Sequence, residues 1–149
     1  MTSKELKAGF KWSKAPFLEA RLKSFDEDSQ PYRGIAEIVL KSYNPTEALR
    51  FTVFVNGKVY MKQCIADGVI FTSKLGSHGY FKSVTRTLFT DNDSVGLGFI
   101  APTYGICNLV LKATDKVTVK LDRYAITMIS HDKEYETVEL RADEEIELS

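Results

Sequence analysis

The run of residues 50–65 is the feature that most limits how this chain can fold. Asn56-Gly57 lies near its centre, and β-branched and aromatic residues flank the pair on both sides. Asn and Gly adopt positive φ readily, as the two central positions of a type I′ turn require. The run therefore predicts a β-hairpin with a two-residue loop, in which Val55 pairs with Lys58.

The two faces of this hairpin differ in character. An uninterrupted register also pairs Phe54 with Val59, Val53 with Tyr60, and Thr52 with Met61. One face then carries Phe54, Val59 and Met61. The other face places Phe51, Val53 and Val55 opposite Lys58, Tyr60 and Lys62, which predicts a mixed surface, open at its lysine edge or covered by a partner.

Strand-like runs recur along the rest of the chain, and turn residues such as Asn44-Pro45 separate many of them. The runs span 17–25, 35–43, 69–73, 80–89, 95–100, 106–112, 117–122, 124–130 and 135–140. Short strands at this spacing, without a long segment of helical period, predict an all-β fold. We expect an antiparallel β-sandwich or jelly-roll-like domain, with a compact barrel as the alternative.

The length and composition favour one folding unit. The chain has 149 residues, of which 44% are hydrophobic and 27% are charged, as in ordinary globular domains. We predict a single β-rich domain over residues 1–149, with an extended arm at 1–14 and an acidic tail at 141–149.

The N-terminal sequence lacks the apolar segment of a secretory signal. Apolar runs also stay well below the roughly 18 residues that suggest a membrane span. We therefore expect cytoplasmic synthesis without secretion and no membrane partner. Cys64 and Cys107 lie in apolar strand-like runs, which predicts that both are reduced, buried thiols.

Charge is balanced overall but unevenly distributed. Twenty Lys and Arg residues equal twenty Asp and Glu residues, so no net field draws the chain toward nucleic acid. Residues 50–90 contain six basic residues against Asp67 alone, whereas residues 132–149 contain eight acidic residues against two basic ones. The middle of the chain is basic and its end is acidic.

Residues for catalysis are scarce. His78 and His131 are the two histidines, and no His-x-x-x-His or Cys-x-x-Cys spacing is present. Ser130, His131 and Asp132 are adjacent, but neighbours on an extended strand point to opposite faces, so they are predicted to form a turn and not a triad. We predict no catalytic residue, no cofactor, no metal site and no enzymatic activity.

Gly96 and Gly98 lie inside a predicted strand and precede no predicted helix. A phosphate-binding glycine loop stands between a strand and a helix, so this pair does not fit one. We predict that the two glycines mark a bulge or a close approach of neighbouring groups.

The leading functional hypothesis is a structural or assembly protein that packs against copies of itself or a scaffold. The basic hairpin region and the acidic end are able to meet in trans and set the register of assembly. A cysteine-poor β-domain with extended ends is typical of a viral or phage virion component, such as a capsid, decoration or tail protein. The candidate interaction residues are Phe10, Trp12, Lys58, Tyr60, Lys62, Lys82, Arg86, Glu144, Glu145 and Glu147.

Two other interpretations stay open. The opposite charges meet in cis if the last strand lies beside the hairpin in one monomer. Alternatively, the basic candidates form a strip on a module that binds a small ligand or single-stranded nucleic acid. Nucleic-acid binding is the weaker of these, because the net charge is zero and lysines on a sheet edge also prevent aggregation.

Overall fold

The computed structural model describes residues 17–23 and 30–149. Within these ranges the chain forms two six-stranded antiparallel sheets that pack face to face. This architecture confirms the predicted all-β sandwich. The predicted arm at residues 1–14, with Phe10 and Trp12, lies outside the described residues.

The strands of the described chain are short and follow the predicted spacing closely. In chain order they are β1 (Leu18–Lys23), β2 (Tyr32–Gly34), β3 (Glu37–Ser42), β4 (Leu49–Val55), β5 (Lys58–Ala66), β6 (Gly68–Thr72), β7 (Ser94–Ile100), β8 (Leu109–Lys112), β9 (Val117–Leu121), β10 (Ala125–His131), β11 (Glu134–Leu140) and β12 (Glu145–Leu148). Sheet A has the order β2-β1-β12-β9-β4-β5, and sheet B has the order β11-β10-β3-β6-β7-β8. A 3₁₀ turn (Gly76–His78) and helix α1 (Tyr80–Thr85) connect β6 to β7.

The main core lies between the two sheets. Inward-facing residues alternate with partly exposed ones, as Val117, Val119 and Leu121 do along β9. Phe51 of sheet A stacks on Phe99 of sheet B, with ring centroids 6.3 Å apart. Apolar side chains of both sheets therefore exclude water from one continuous layer.

The predicted hairpin forms, with Asn56 and Gly57 both at positive φ. Val55 pairs with Lys58, as expected, but the register then shifts so that Val53 pairs with Met61 in place of Tyr60. These irregularities follow from β-bulges, which a pattern of alternation does not reveal. The prediction that this face forms a mixed surface is wrong, because Phe51 and Val53 are fully buried in the core.

The predicted strand over residues 80–89 is wrong, because this segment contains α1. Phe81 is fully buried on the outer face of sheet B, in a second apolar cluster with Phe89. A Cβ atom on Gly96 would lie 2.6 Å from the Phe81 ring. The glycines at 96 and 98 therefore let α1 approach the sheet closely, which confirms the predicted close packing.

The segment 141–149, which was predicted to be an acidic tail, contains the strand β12. This strand lies inside sheet A, paired with β1 on one side and β9 on the other. Ile146 and Leu148 are fully buried, while the alternate residues Glu145 and Glu147 are partly exposed. The end of the chain is part of the core sheet.

Candidate functional site

A cavity of about 370 Å³ opens at one end of the sandwich. β6 and β12 end there, and β1 and β7 begin there. The walls come from these strand ends and from the segment that connects β6 to α1. The lining residues are Phe17, Leu18, Ile35, Ser73, Lys74, Leu75, His78, Asn92, Ser94, Val95, Ala113 and Ser149.

The cavity combines apolar walls with a few polar side chains. Leu18 and Val95 belong to the buried core and close its inner side. Phe17, Ile35 and Leu75 extend the apolar surface outward and are 52%, 53% and 67% exposed. Concave apolar sites with a small number of polar groups are the usual form of small-molecule sites.

The loop after β6 is held in place by hydrogen bonds to the β2–β3 connection. The Ser73 hydroxyl donates to the carbonyl of Ile35 at 2.7 Å, and the Ser73 backbone N–H donates to the carbonyl of Ala36 at 3.0 Å. The hydroxyl of Ser77, itself buried, donates to the carbonyl of Lys74 at 2.8 Å. These bonds preorganise the backbone that carries the polar lining.

Lys74 and His78 are the basic side chains of the cavity lining. Within the described ranges, no carboxylate forms an ion pair with Lys74. Its ammonium group can therefore interact with an anionic ligand without first breaking a bond to the protein. This end of the sandwich is suited to a ligand with an apolar ring and a negatively charged group.

The opposite wall depends on the turn at residues 91–94. The Asp91 carboxylate accepts from the backbone N–H of Asp93 at 3.0 Å and from the Ser94 hydroxyl at 2.8 Å. This Asx-type turn places Asn92 at the mouth of the cavity. A carboxamide there offers both a donor and an acceptor to a ligand.

The basic residues predicted to form a strip are divided between the two sheets. Lys58, Tyr60 and Lys62 lie on β5, the edge strand of sheet A. Lys82 lies on α1, and Arg86 is its C-cap, on the outer face of sheet B. The predicted strip is therefore not continuous, and the exposed lysines of β5 occupy an edge where charge prevents strand addition.

Two of the three acidic candidates, Glu144 and Glu147, form ion pairs within the chain. Glu144 is buried and accepts from the Arg141 backbone N–H at 2.8 Å. Glu147 forms an ion pair with Lys23 at 2.9 Å, and Glu145 lies opposite Lys120 in the sheet. Opposite charges thus meet in cis, but on β1 and β9 and not on the hairpin.

The ion pair of Glu147 links stability to pH. The side-chain hydrogen bond from Lys23 lowers the pKa of this carboxyl below its usual value. Because the pKa of this carboxyl is lower in the folded than in the unfolded chain, the carboxylate stabilises the fold at pH values above the unfolded-state pKa. This contribution is lost as the pH falls through the folded-state pKa. Because both side chains are partly exposed, the effect is small.

The two cysteines differ from each other. Cys64 is buried, as predicted, whereas the prediction of a buried Cys107 is wrong, because β8 begins only at Leu109 and leaves this residue exposed. Burial raises the pKa of the Cys64 thiol to about 11, with a further contribution from the Asp122 carboxylate.

We expect Cys107 to react with a thiol reagent at pH 8 while Cys64 stays protected, since only a thiolate reacts and a raised pKa reduces its fraction. Counting modified thiols by mass spectrometry should give one per folded chain and two after denaturation. The Cys107→Ser variant should show almost no reaction until it is unfolded. Equal rates at both positions would contradict this account.

None of the polar residues that line the cavity was among the predicted interaction residues. Residues 75–79 have no predicted role, because a strand was predicted over residues 80–89 where α1 lies. A glycine-containing segment between a strand and a helix is a recognised ligand-binding arrangement, and a correct prediction of α1 would have revealed it.

No family model matches the chain, and no curated protein matches its sequence. Among solved structures, the domain is similar to yeast NADH kinase, determined in complex with NADH, with a TM-score of 0.77 at 20% sequence identity. The match covers 97% of this chain and 45% of the kinase chain. The chain thus spans less than half of the length of that enzyme, and the likeness shows a shared fold.

This comparison corrects the functional expectation. The prediction of a non-enzymatic assembly protein or virion component is wrong, because the same fold forms part of an enzyme. The basic residues of the alternative binding strip lie on different sheets, and binding by them stays a prediction. Proteins of unrelated function share the all-β sandwich, so fold class and composition were not sufficient to predict the function.

Proposed function

We propose that this domain is the nucleotide-binding β-sandwich of an enzyme that acts on a dinucleotide such as NADH. The observation that carries the proposal is the cavity at the end of the sandwich, where apolar walls meet Lys74 and His78. The shared fold with yeast NADH kinase adds support.

The lining matches the chemistry of a nucleotide. A heterocyclic ring has apolar faces, which Leu18 and Val95 can cover. Its N–H groups can donate to the hydroxyl oxygens of Ser73 and Ser94, whose own hydrogens are already donated within the chain. Phosphate groups require cationic or N–H donors, and Lys74 supplies a cation at the same mouth. The two parts of the ligand thus have separate and suitable partners.

The size of the cavity sets how much of a dinucleotide it holds. A volume of about 370 Å³ is at the lower end of the usual range for small-molecule sites. It suits one nucleotide half, with the second half lying across the exposed surface of Phe17, Ile35 and Leu75. A free mononucleotide should therefore compete with the dinucleotide.

The direct test is a titration of the purified protein into NADH, followed by NADH fluorescence. We expect saturable binding that AMP reverses. Lys74→Ala should weaken binding by about 10-fold, or about 1.4 kcal/mol, because it removes the phosphate contact. Lys62→Ala is the matched control, since this lysine is exposed on the distant edge strand of sheet A.

A second pair of variants separates the cavity from the general surface. Ala113→Leu places additional carbon atoms in the lining and should block the ring, whereas Ala142→Leu adds the same atoms at an exposed turn. Circular dichroism verifies that both variants are folded. NADH binding that is equal in all four variants, or absent from the parent, would refute the proposal.

A further inference from the structure

A second group of side chains lies on the β10–β11 hairpin. His131 ends β10 and pairs directly with Glu134, the first residue of β11. Glu136 is two residues further along β11, so all three side chains project from the same face of the sheet. None of them lines the cavity described above.

The face in question is directed toward the other sheet. Ile129, which pairs with Glu136, is fully buried in the main core. The His131 ring stacks on Tyr32 of β2, with centroids 5.5 Å apart, and only 12% of the His131 side chain is exposed. The group therefore lies at the margin between the two sheets, where a charge is only partly hydrated.

The three residues converge on one point. One ligand atom from each of His131, Glu134 and Glu136 lies within 4.8 Å of the other two. The Glu136 side chain is 42% exposed, which leaves a path for small solutes from the surface. Ligand atoms of one Zn²⁺ ion lie about 2 Å from the metal and so at most about 4 Å from one another. A small rotation of the exposed Glu134 side chain brings all three atoms within reach of a single ion.

The hydrogen bonds of the imidazole place a proton between His131 and Glu136 in the metal-free protein. Nδ1 of His131 faces the backbone carbonyl of Arg33 at 3.2 Å, and a carbonyl only accepts, so Nδ1 carries a hydrogen atom. In the neutral ring Nε2 is then an acceptor, yet it faces a carboxylate oxygen of Glu136 at 2.5 Å. Two acceptors repel each other unless they share a proton, and 2.5 Å is the separation of a short hydrogen bond. A metal ion that replaces this proton needs the two atoms at least about 3 Å apart, which a rotation of the partly exposed Glu136 side chain provides.

We propose that His131, Glu134 and Glu136 bind a divalent transition-metal ion of the zinc type. One imidazole nitrogen and two carboxylate oxygens are ligands that Zn²⁺ accepts, with water completing the coordination. A proton needs only His131 and Glu136, whereas the convergence of Glu134 supplies the third ligand of a metal site.

The backbone carbonyl of Arg33 has the role of an outer-shell partner. Metal-binding histidines usually donate their other N–H to a carbonyl or carboxylate, which fixes the ring and the tautomer. Here the stacked Tyr32 ring also restrains the imidazole plane. The site is thus preorganised by contacts outside the three ligands.

The test is isothermal titration of Zn²⁺ into the metal-free full chain, in a Cys107→Ser background that removes the exposed thiol. We expect binding of one ion with a micromolar or tighter dissociation constant. Co²⁺ should report the same site by visible absorption. Glu134→Gln and His131→Gln should each weaken binding at least about 10-fold.

Two features keep this test decisive. Glu139→Gln is the control, because this residue lies on the same strand but projects to the opposite face and should not change Zn²⁺ affinity. Glu134 is exposed, so its variant should fold even if the His131 variant does not. Absence of Zn²⁺ binding, or equal binding by Glu134→Gln and the parent, would show that a proton alone joins His131 to Glu136 and would overturn the proposal.

Discussion

Deletion of residues 143–149 is expected to abolish the cooperative unfolding transition of the domain. The segment contains β12, whose backbone bonds to β1 on one side and β9 on the other. Removing it divides sheet A and uncovers the core around the fully buried Ile146 and Leu148. Buried aliphatic side chains of this size contribute about 2–5 kcal/mol each when truncated to Ala, a large part of the total stability of a domain.

Thermal unfolding followed by circular dichroism measures this effect. The matched control neutralises the acidic side chains and keeps the strand: Glu145→Gln with Glu147→Gln should cost no more than about 1 kcal/mol per exposed ion pair. Ile146→Ala should fall between the two. If the truncated chain still unfolds cooperatively at the parent temperature, β12 is not the central strand described above.

Gly76→Ala is expected to have the second-largest effect and to act on the candidate site. A Cβ atom at this position would lie 2.2 Å from the carbonyl oxygen of Ala36 and 2.4 Å from the Thr72 hydroxyl. The first of these neighbours is backbone, so the β6–α1 loop must move to relieve the overlap. We expect a loss of at least about 2 kcal/mol in the free energy of unfolding, typical of severe overpacking.

The same displacement should reduce NADH affinity, because Lys74 and His78 belong to this loop. Gly105→Ala is the matched control: nothing lies within 4 Å of its added Cβ, and both properties should stay at the parent level. Chemical denaturation and the NADH titration measure the two effects separately. A stable Gly76→Ala variant that binds NADH normally would mean that the loop tolerates the movement and that the cavity does not depend on it.

Elements with short-range signals were predictable. The Asn56-Gly57 turn depends on the conformational preferences of two adjacent residues. Most strands were also found, because a sheet with one buried face imposes alternation along the chain. These features are properties of local sequence, and they were correct within a few residues.

Elements whose identity depends on distant partners were not predictable. Residues 80–89 contain enough aromatic and β-branched residues for a strand, but the position beside β6 is occupied by β7. Phe81 instead packs as part of a helix on the glycines of β7. The final segment was interpreted as an acidic tail because acidic residues outnumber basic ones there. Only its position between β1 and β9 makes it a buried strand.

The candidate sites were not predictable either, because the fold, and not the local sequence, brings their residues together. The cavity lining comes from residues near 17, 35, 73, 94 and 113, which are separated along the chain and share no motif. His131 was considered only with its sequence neighbours Ser130 and Asp132, whereas its partners are Glu136 across a turn and Arg33 in the other sheet. The Asp132 carboxylate instead accepts from the backbone N–H groups of Ile35 and Ala36.

The sequence by itself determined that the chain is an all-β sandwich with a tight hairpin at Asn56-Gly57, because turn preferences and alternation act over a few residues. Only the tertiary structure decided which charges are paired, which segment becomes α1, and which side chains meet at the end of the sandwich and on the β10–β11 hairpin. Those outcomes depend on strand order and on packing between sheets, where contacts join residues far apart in sequence and no local pattern records them.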